Sequence, residues 1–255
     1  MNTIRVIGSG SYGIVKEINT AGGTVARKEL LLTQDDAENI KLKRRFRREV
    51  EYQAQLNHRN VVSILDSDLT CETPWFTMPL AICSLGNEAS NGIRMTDSMK
   101  VFAFRMIMNG VEYIHQSGQI HRDLKPDNIL RFATSYGHYV YAVSDFGLVA
   151  GVGGNHTTAL TMTNTAMGTI NYMPFECYQD AKRATEQSDI YSMGVILKFI
   201  LDGSYGVPFA ERTSTSIFSE VISKCTKENP RARYANVDEL RKDFEECYAR
   251  SGFQL

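Results

Sequence analysis

Short runs of alternating apolar and polar residues, separated by glycine-containing turns, fill the first third of the chain and predict β-strands. Between two of these runs, apolar side chains recur four positions apart at Phe46, Val50 and Ala54, which predicts one helix over residues 36–56. Because the runs follow one another through short turns, we expect a small antiparallel sheet. The predicted strands cover residues 4–7, 14–18, 24–32, 61–65 and 75–80.

Beyond about residue 85 the apolar positions follow the period of helices. The chain therefore changes, near residues 80–86, from a strand-rich part to a helix-rich part. We predict an α+β fold with a small antiparallel-sheet N-lobe that holds one main helix, and a larger, mainly helical C-lobe. The predicted helices of the second part cover residues 99–116, 187–201, 214–227 and 237–248.

Composition and charge restrict the class of partner. The 255 residues are 43% hydrophobic and 22% charged, which is ordinary for a globular chain of this size. Lys and Arg number 28 against 29 Asp and Glu, so the formal net charge is −1. A chain with this balance lacks a global positive field for a polyanion, and we expect neither a nucleic acid nor a membrane as partner.

The cysteines and the apolar runs favour a cytoplasmic location. The five cysteines form no C-x-x-C pair and leave an odd one over, which favours neither a zinc cluster nor a disulfide framework. The N-terminus has no signal-peptide core, and Lys198 interrupts the longest apolar run, residues 193–201, well below the ~20 residues that span a bilayer. We therefore expect a reducing compartment.

A glycine-rich segment, Gly8-Ser9-Gly10-Ser11-Tyr12-Gly13, follows the first predicted strand. Glycines at this spacing let a backbone turn approach a phosphate closely and offer N–H groups to it. Dinucleotide-binding folds open with the same spacing but continue into a helix, whereas the β-branched Ile14 and Val15 favour a strand here. An ordinary hairpin rich in glycine is the alternative.

The third predicted strand carries Val25-Ala26-Arg27-Lys28. Side chains alternate between the faces of a strand, so Ala26 and Lys28 point the same way. The small side chain of Ala26 leaves room for a flat base, and the ammonium group of Lys28 lies within reach of phosphates. Glu49 lies at the border of the helix's buried face, where a carboxylate needs a cation, and Lys28 is the cation we expect there. Glu38 and Glu51 are the competing carboxylates.

The strongest motif is His121-Arg122-Asp123-Leu124-Lys125-Pro126-Asp127-Asn128, followed by Asp145-Phe146-Gly147. With these residues the sequence resembles the eukaryotic-type protein kinases, and specifically their serine/threonine branch. The resemblance extends from the glycine-rich segment to an arginine at position 233. It implies a two-lobed protein-kinase-like fold over residues 1–255, with an N-lobe at about 1–78, a hinge at about 79–86 and a C-lobe at about 87–255.

The resemblance implies catalytic roles for four residues. Asp123 would accept or orient the proton of the substrate hydroxyl, and Lys125 would neutralise charge on the transferring γ-phosphoryl group. Lys28, paired with Glu49, would position the α and β phosphates of ATP. Phosphoryl transfer depends mainly on alignment and on charge compensation, which these residue types supply.

The implied cofactors are ATP and Mg²⁺, with Mn²⁺ as an alternative ion. Asn128 and Asp145 would hold the metal through oxygen atoms, the ligands that hard cations prefer. Met78 would be the bulky gatekeeper; Pro79 would offer its carbonyl, and Ala81 its N–H, to adenine. The implied ATP contacts are Ile7, Gly8, Gly10, Gly13, Val15, Ala26, Lys28, Met78, Pro79, Ala81 and Leu130.

Further segments match the family. Gly168-Thr169 with Tyr172-Met173 resembles the substrate-docking loop of serine/threonine kinases. Asp189 is expected to brace the backbone of the catalytic loop, and Arg233 to pair with Glu176.

Three departures from the family pattern accompany these matches. Pro174-Phe175-Glu176 replaces the usual Ala-Pro-Glu, so the local turn must differ although the glutamate is kept. Pro79 has no N–H, which is tolerable because the family uses only the carbonyl there. Residues 131–141 are predicted to form a slightly lengthened surface hairpin.

The leading functional hypothesis is an active kinase that phosphorylates Ser and Thr of protein substrates and autophosphorylates its activation loop through a transient dimer. One alternative is a pseudokinase or scaffold module, which would be expected to lack Lys28, Asp123, Asn128 or Asp145. A small-molecule phosphotransferase is the other, and relatives of that class lack the Lys125-Pro126 pairing and the docking loop.

Two features concern control. Arg122 precedes the predicted catalytic aspartate and needs an anion, which a phosphate on the loop 145–176 would supply, with Thr163 or Thr165 favoured because they lie closest to Gly168. The alternative is that the loop threonines are solvated and that Arg122 binds a backbone carbonyl or a carboxylate. A basic run, residues 41–48, is interpreted first as a solvated face and alternatively as a docking site for a phosphorylated loop or an acidic partner. The candidate acceptors in the loop are Thr157, Thr158, Thr161, Thr163 and Thr165.

Overall fold

A five-stranded antiparallel sheet forms the first part of the molecule, in the order β1-β2-β3-β5-β4. The structure, a computed structural model, describes residues 2–10, 13–92, 94–135, 138–146, 150–151, 170–204 and 206–250. The predicted N-lobe sheet is therefore confirmed. Its strands are β1 (Asn2–Gly10), β2 (Gly13–Thr20), β3 (Gly23–Leu30), β4 (Asp66–Asp68) and β5 (Trp75–Pro79).

Helix α1 (Asp36–Gln53) packs on this sheet and confirms the predicted main helix. Its first turn is capped by the carboxylate of Asp35, which accepts from two backbone N–H groups. Phe46 and Val50 are buried as expected, but Ala54 is exposed and forms the C-cap. The buried face is completed by Gln53, whose amide donates to the Val62 carbonyl at 2.7 Å.

The predicted strand at 61–65 is wrong, since the strand in this region is β4. Val61 and Val62 are buried, but they pair with the C-terminal part of the chain: the Val62 N–H donates to the Val143 carbonyl at 2.9 Å, and the Val143 N–H to the Asn60 carbonyl at 2.9 Å. Burial between the two parts of the molecule explains their apolar character. The third strand ends at Leu30, two residues before its predicted end.

The second part of the molecule is mainly helical, as predicted. Its central helix buries apolar side chains on nearly every face, as expected of a helix inside a core. Two small antiparallel sheets accompany the helices, β6-β8-β9 and β7-β10. The helices are α2 (Leu85–Ser90), α3 (Asp97–Gln116), α4 (Phe175–Gln179), α5 (Glu186–Asp202), α6 (Ser219–Cys225) and α7 (Val237–Arg250). The strands are β6 (Cys83–Ser84), β7 (Gln119–Ile120), β8 (Ile129–Ala133), β9 (Tyr139–Val143) and β10 (Ala150–Gly151).

The helix predicted at 214–227 is much shorter than expected, because α6 begins only at Ser219. The hydroxyl of Ser214 accepts from the Ser216 N–H at 3.1 Å, and the hydroxyl of Ser216 accepts from the Phe218 N–H at 3.3 Å. Serine side chains that bind nearby backbone N–H groups compete with helical hydrogen bonds, and here they delay the start of the helix.

The hairpin predicted at 131–141 is formed by β8 and β9, with Arg131 paired to Tyr141 in register. It is not purely a surface hairpin, because Arg131 and Tyr141 are both buried. Tyr136 and Gly137 lie outside the described residues.

Helix α3 lies directly under the segments that carry the candidate site. Gly110 faces the Asn60 carbonyl so closely that a Cβ there would collide with it, and Val143 lies on the same side. A glycine at this position therefore lets α3 approach the backbone that leads into Asp145.

The described helices include no segment with the length and apolar character needed to cross a bilayer. All five cysteines are free thiols.

We predict that Gly110→Ala lowers the free energy of unfolding by about 1–3 kcal/mol, because the added methyl group must displace α3 or the Asn60 backbone. Chemical denaturation measures the change. Ser98→Ala, at an exposed position in the same helix, is the control and should stay within about 0.5 kcal/mol of the wild type. A Gly110→Ala protein as stable as the control would contradict the close approach.

Candidate active site

Lys28 and Glu49 form an ion pair at the cleft between the two parts of the molecule. Lys28 lies on β3 and Glu49 on α1, and the lysine Nζ lies 2.6 Å from Oε1 of Glu49. The same Nζ lies 3.0 Å from Oδ1 of Asp145. The structure thus brings together the predicted pair and the predicted metal-binding aspartate, whereas the competing Glu38 is partly exposed and pairs with Lys41, and Glu51 is exposed.

The charges in this group depend strongly on one another. Burial alone would lower the pKa of Lys28, but the carboxylates of Asp145 and Glu49 outweigh it and raise the pKa. Burial raises the pKa of Glu49, against the opposing effect of Lys28. Burial would raise the pKa of Asp145, but the charge and hydrogen bond of Lys28, together with the charge of Lys125, outweigh it and hold the pKa well below the usual range. Asp145 is thus ionised, as a metal ligand must be.

The catalytic loop holds Asp123, Lys125 and Asn128 in one hydrogen-bonded group. The Lys125 Nζ lies 2.8 Å from Oδ2 of Asp123. The Asn128 amide nitrogen donates to the Asp123 carbonyl at 2.8 Å and to its Oδ2 at 3.2 Å. The other carboxylate oxygen, Oδ1, is buried and accepts no hydrogen bond from a described residue. A buried acceptor without a partner is the atom that would receive a substrate hydroxyl.

Burial raises the pKa of Asp123, partly opposed by the positive charge of Lys125 and increased again by Asp145. The pKa of Lys125 is raised because the attraction of Asp123 outweighs the effect of burial. The pair therefore consists of a carboxylate with increased basicity beside a fixed positive charge.

Asp189, at the start of α5, fixes the backbone of this loop as predicted. Its carboxylate accepts from the N–H of His121 and from the N–H of Arg122, both at 2.8 Å, and from Nε2 of His115 at 2.9 Å. Arg122 has a φ of 69° and Asp145 a φ of 63°, the left-handed region that side chains other than glycine rarely occupy. Strained backbone at two adjoining functional positions is typical of active sites.

His121 and Ser144 connect the catalytic loop to Asp145, and sequence reasoning assigned neither a role. The His121 Nε2 donates to the Ser144 carbonyl at 2.9 Å, and its ring packs 5.1 Å from that of Phe146. The Ser144 N–H donates to the Asn128 carbonyl at 2.8 Å. The one sequence signal for a role of Ser144 is its position directly before Asp145.

Four of the predicted nucleotide contacts lie in or against one apolar cluster. Ala26 and Met78 are buried and lie opposite each other in the β3-β5 register, while Val15 and Leu130 are partly buried against the same cluster. The N–H of Ala81, after the predicted hinge carbonyl of Pro79, makes no hydrogen bond to another described residue. An apolar slot beside an unused donor fits a flat, hydrogen-bonding base.

The glycine-rich hairpin covers Lys28. A Cβ on Gly13 would press against the Glu29 carbonyl and the Lys28 side chain. At Gly10 a Cβ would meet no atom of a described residue within 4 Å, and at Gly8 it would make only ordinary contact with Val15. Packing among the described residues therefore does not by itself require glycine at these two positions. Ile7 is exposed beside them, and Ser11 and Tyr12 lie outside the described residues.

The predicted metal ligands fit a hard divalent cation that phosphates share. Among the described residues no group of three or more His, Cys, Asp or Glu could hold a metal alone. Asp145 offers a carboxylate whose side chain is 43% exposed, and Asn128 offers its amide oxygen because the nitrogen is bound to Asp123. Such an incomplete set suits a divalent cation that takes its other ligands from water and phosphate.

The predicted pair of Arg233 and Glu176 is formed. The guanidinium donates to both carboxylate oxygens, at 2.7 and 3.1 Å. Phe175 stands before this glutamate as the first residue of α4. Tyr172 and Met173 are buried, while Gly147, Gly168-Thr169 and the candidate threonines Thr157, Thr158, Thr161, Thr163 and Thr165 lie outside the described residues.

The basic run forms part of α1. Lys41 lies 3.4 Å from Glu38, and Arg47 donates to the Leu69 carbonyl at 3.3 Å. Arg44 is exposed. A solvated face and a docking site both stay open as interpretations of this run.

Comparison with known protein sequences identifies the family of the chain. The sequence matches the protein kinase domain family over residues 1–249. It is 28% identical over 291 residues to the serine/threonine-protein kinase PknD of Chlamydia pneumoniae and 31% identical over 245 residues to AfsK of Streptomyces coelicolor. To PrkC of Bacillus subtilis it is 27% identical over 271 residues.

These matches include 94–96% of this chain but only 28–40% of each relative, so the chain spans well under half the length of the curated proteins it resembles. Because the family match leaves only the last six positions uncovered, the chain belongs to the protein kinase domain family.

Proposed function

We propose that the chain is a serine/threonine protein kinase domain, which transfers the γ-phosphate of ATP to Ser and Thr hydroxyls of protein substrates. One observation carries the proposal: Lys28 binds both Glu49 and Asp145, beside a loop in which one buried oxygen of Asp123 accepts no hydrogen bond from any described residue. Protein kinases need the lysine–glutamate pair and the metal-binding aspartate in place together. A pseudokinase would not be expected to keep all of these groups.

In the proposed reaction the substrate hydroxyl oxygen forms a bond to the γ-phosphorus while the bond between that phosphorus and the β–γ bridging oxygen breaks. Asp123 orients the hydroxyl through Oδ1 and takes up its proton, which its raised pKa favours. Lys125 stays beside Asp123 and compensates charge on the transferring group. Lys28 holds the phosphates that remain with the nucleotide.

We propose Mg²⁺ as the working ion, held by Asn128 and Asp145, with Mn²⁺ as the alternative. When bound, the ion neutralises negative charge on the phosphates and aligns them for in-line transfer. Asp145 already carries the negative charge that this role requires.

Arg122 supports a requirement for activation by phosphorylation. Its Nε and Nη1 atoms are buried and find no acceptor among the described residues, and burial lowers its pKa. We propose that a phosphate on Thr163 or Thr165 supplies the missing anion through charge-assisted hydrogen bonds. Phosphatase treatment followed by a rate measurement tests this, and an unchanged rate would contradict it.

A transient dimer for autophosphorylation and a cytoplasmic location also belong to the proposal. Autophosphorylation in trans is second order in enzyme, so its initial rate per molecule should rise with enzyme concentration. A rate per molecule independent of concentration would restrict the reaction to a single molecule.

The direct test of the function is transfer of label from [γ-³²P]ATP to casein in the presence of Mg²⁺, followed by phosphoamino-acid analysis. We expect phosphoserine and phosphothreonine, and a loss of about a hundredfold or more in the Asp145→Asn variant, because a metal ligand is removed. Label on tyrosine alone would overturn the specificity. ATP binding without any transfer would support the pseudokinase.

The Lys28–Glu49 pair gives a graded prediction. Lys28→Met should reduce kcat/KM by about a hundredfold, because no group replaces the ammonium on the phosphates. Glu49→Gln should cost about tenfold or less, since an amide oxygen still accepts a hydrogen bond from Lys28. Steady-state kinetics with ATP varied measures both. Full activity of both variants would exclude a catalytic role for the pair.

Asp123 and Lys125 determine the acid side of the pH–rate profile. Protonated Asp123 cannot accept the hydroxyl proton, so kcat/KM should fall as the pH drops through a pKa that burial holds above the ordinary 3.8. Lys125→Met removes the positive charge that partly opposes the increase in the pKa of Asp123, so the acid limb of the profile should move to higher pH. Lys125→Arg keeps a positive charge and should leave the acid limb near the wild-type position. The exposed Lys182→Met is the control. A limb that moves to lower pH in Lys125→Met would contradict the assignment.

A further inference from the structure

Glu88 and Arg131 form a buried ion pair that the proposed reaction does not use. Glu88 lies on α2 and is 1% exposed, and Arg131 lies on β8 and is 6% exposed. The arginine Nη1 lies 2.6 Å from Oε1 of Glu88, while the hydroxyl of Tyr141 donates to Oε2 at 2.8 Å. The guanidinium also lies over the ring of Tyr139, 4.5 Å from its centroid.

Such a pair is weak evidence for added stability, because removing two charges from water costs about as much as their attraction returns. Apolar side chains of similar volume would fill the same space. The charged pair instead fixes the position of α2. One carboxylate oxygen of Glu88 accepts from a residue of β8 and the other from a residue of β9, so α2 can neither slide along its axis nor rotate about it without breaking a hydrogen bond.

The backbone around Arg131 holds the segment that leaves the predicted hinge. The Ile82 N–H donates to the Arg131 carbonyl at 2.8 Å. In the β6-β8 register, Cys83 pairs with Arg131 and Ser84 with Leu130. Ala81, whose N–H has no partner among the described residues, lies directly before this anchored stretch.

The same helix lies against the catalytic loop. Gly86, in the first turn of α2, faces Asp127 so closely that a Cβ there would collide with its carboxylate oxygen. Asp127 directly precedes Asn128, the proposed metal ligand. A shift of α2 would therefore displace the adenine end of the nucleotide site and the residue next to the metal ligand together.

We propose that Glu88 and Arg131 are positioning residues for the nucleotide: their ion pair fixes α2, and through α2 it sets the distance between the hinge N–H of Ala81 and the metal ligand Asn128. This inference rests on the proposed function, since it assigns ATP to that site. It acts mainly on nucleotide binding and reaches Asp123 only through Asn128, whose amide donates to that residue. Weakening the pair should therefore raise the dissociation constant and the KM for ATP by a larger factor than it lowers kcat, with little effect on the KM for the protein substrate.

The test is isothermal titration calorimetry of the full chain with MgATP, together with steady-state kinetics and thermal melting. The main variant is Glu88→Leu/Arg131→Leu, which removes both charges and keeps the volume apolar. We expect a melting temperature close to the wild type and affinity for MgATP about tenfold weaker. Tyr141→Phe, which removes only the hydrogen bond to Oε2, should weaken binding by a few-fold and lower the melting temperature by only a few degrees.

The control is Arg105→Leu/Glu245→Leu, a bidentate pair between α3 and α7 away from the hinge, which should leave MgATP affinity unchanged. Wild-type affinity in both the double variant and Tyr141→Phe would overturn the proposal. The proposal would also be overturned if affinity fell only in variants whose melting temperature fell, and if the control pair lost affinity to the same extent. If the double variant does not fold, Glu88→Gln replaces it, and unchanged affinity in Glu88→Gln and Tyr141→Phe overturns the proposal.

Calorimetry also separates this proposal from the proposed function. A wild-type protein that binds no MgATP would refute the assignment of ATP to the site. A wild-type protein that binds MgATP while the variants bind equally well would refute only the positioning role of Glu88 and Arg131.

Discussion

The buried carboxylate of Asp189 supports the geometry of the whole site. It is fully buried on α5, yet its pKa is lowered, because the hydrogen bonds it accepts from His115 and from the loop outweigh the cost of burial. Its two oxygens hold two successive backbone N–H groups, which stabilises the left-handed conformation of Arg122. Asp123 follows that turn and is thereby directed towards Lys125 and Asn128. The position of the proposed catalytic group is thus set from the helical core.

The second level of organisation is electrostatic. Three carboxylates, those of Glu49, Asp123 and Asp145, share a small volume with two lysines, and the pKa of each group depends on its neighbours. Burial penalises every charge, and the ion pairs offset this penalty to different extents. As a result one carboxylate is strongly acidic and suited to a cation, and another is more basic and suited to a proton. Similar side chains thus receive different tasks from their surroundings.

Features with a local pattern or a family motif were predictable, and contacts between distant residues outside such motifs were not. The Lys28–Glu49 pair was expected from the position of Glu49 at the border of its helix's buried face, and the Arg233–Glu176 pair from the resemblance to the kinase family. The burial of Arg131 could not be foreseen, because an arginine in a polar stretch gives no sign that Glu88 lies opposite it. Val61 and Val62 have the apolar character of a strand, and only the fold reveals that their partner is Val143. Residues 152–169, which carry the predicted acceptor threonines, lie outside what the structure describes.

The hydrogen bonds that join Val62 and Asn60 to Val143 also have a mechanical consequence. They attach the segment after α1 to the strand that ends two residues before Asp145, so the two lobes are linked there as well as through the hinge. Two attachment points define an axis, and any opening of the cleft then becomes a rotation about that axis. Asp145 lies near the axis and would hardly move. The glycine hairpin joins β1 and β2, at the edge of the sheet opposite β5 and β4, so the same rotation would move it further than Asp145.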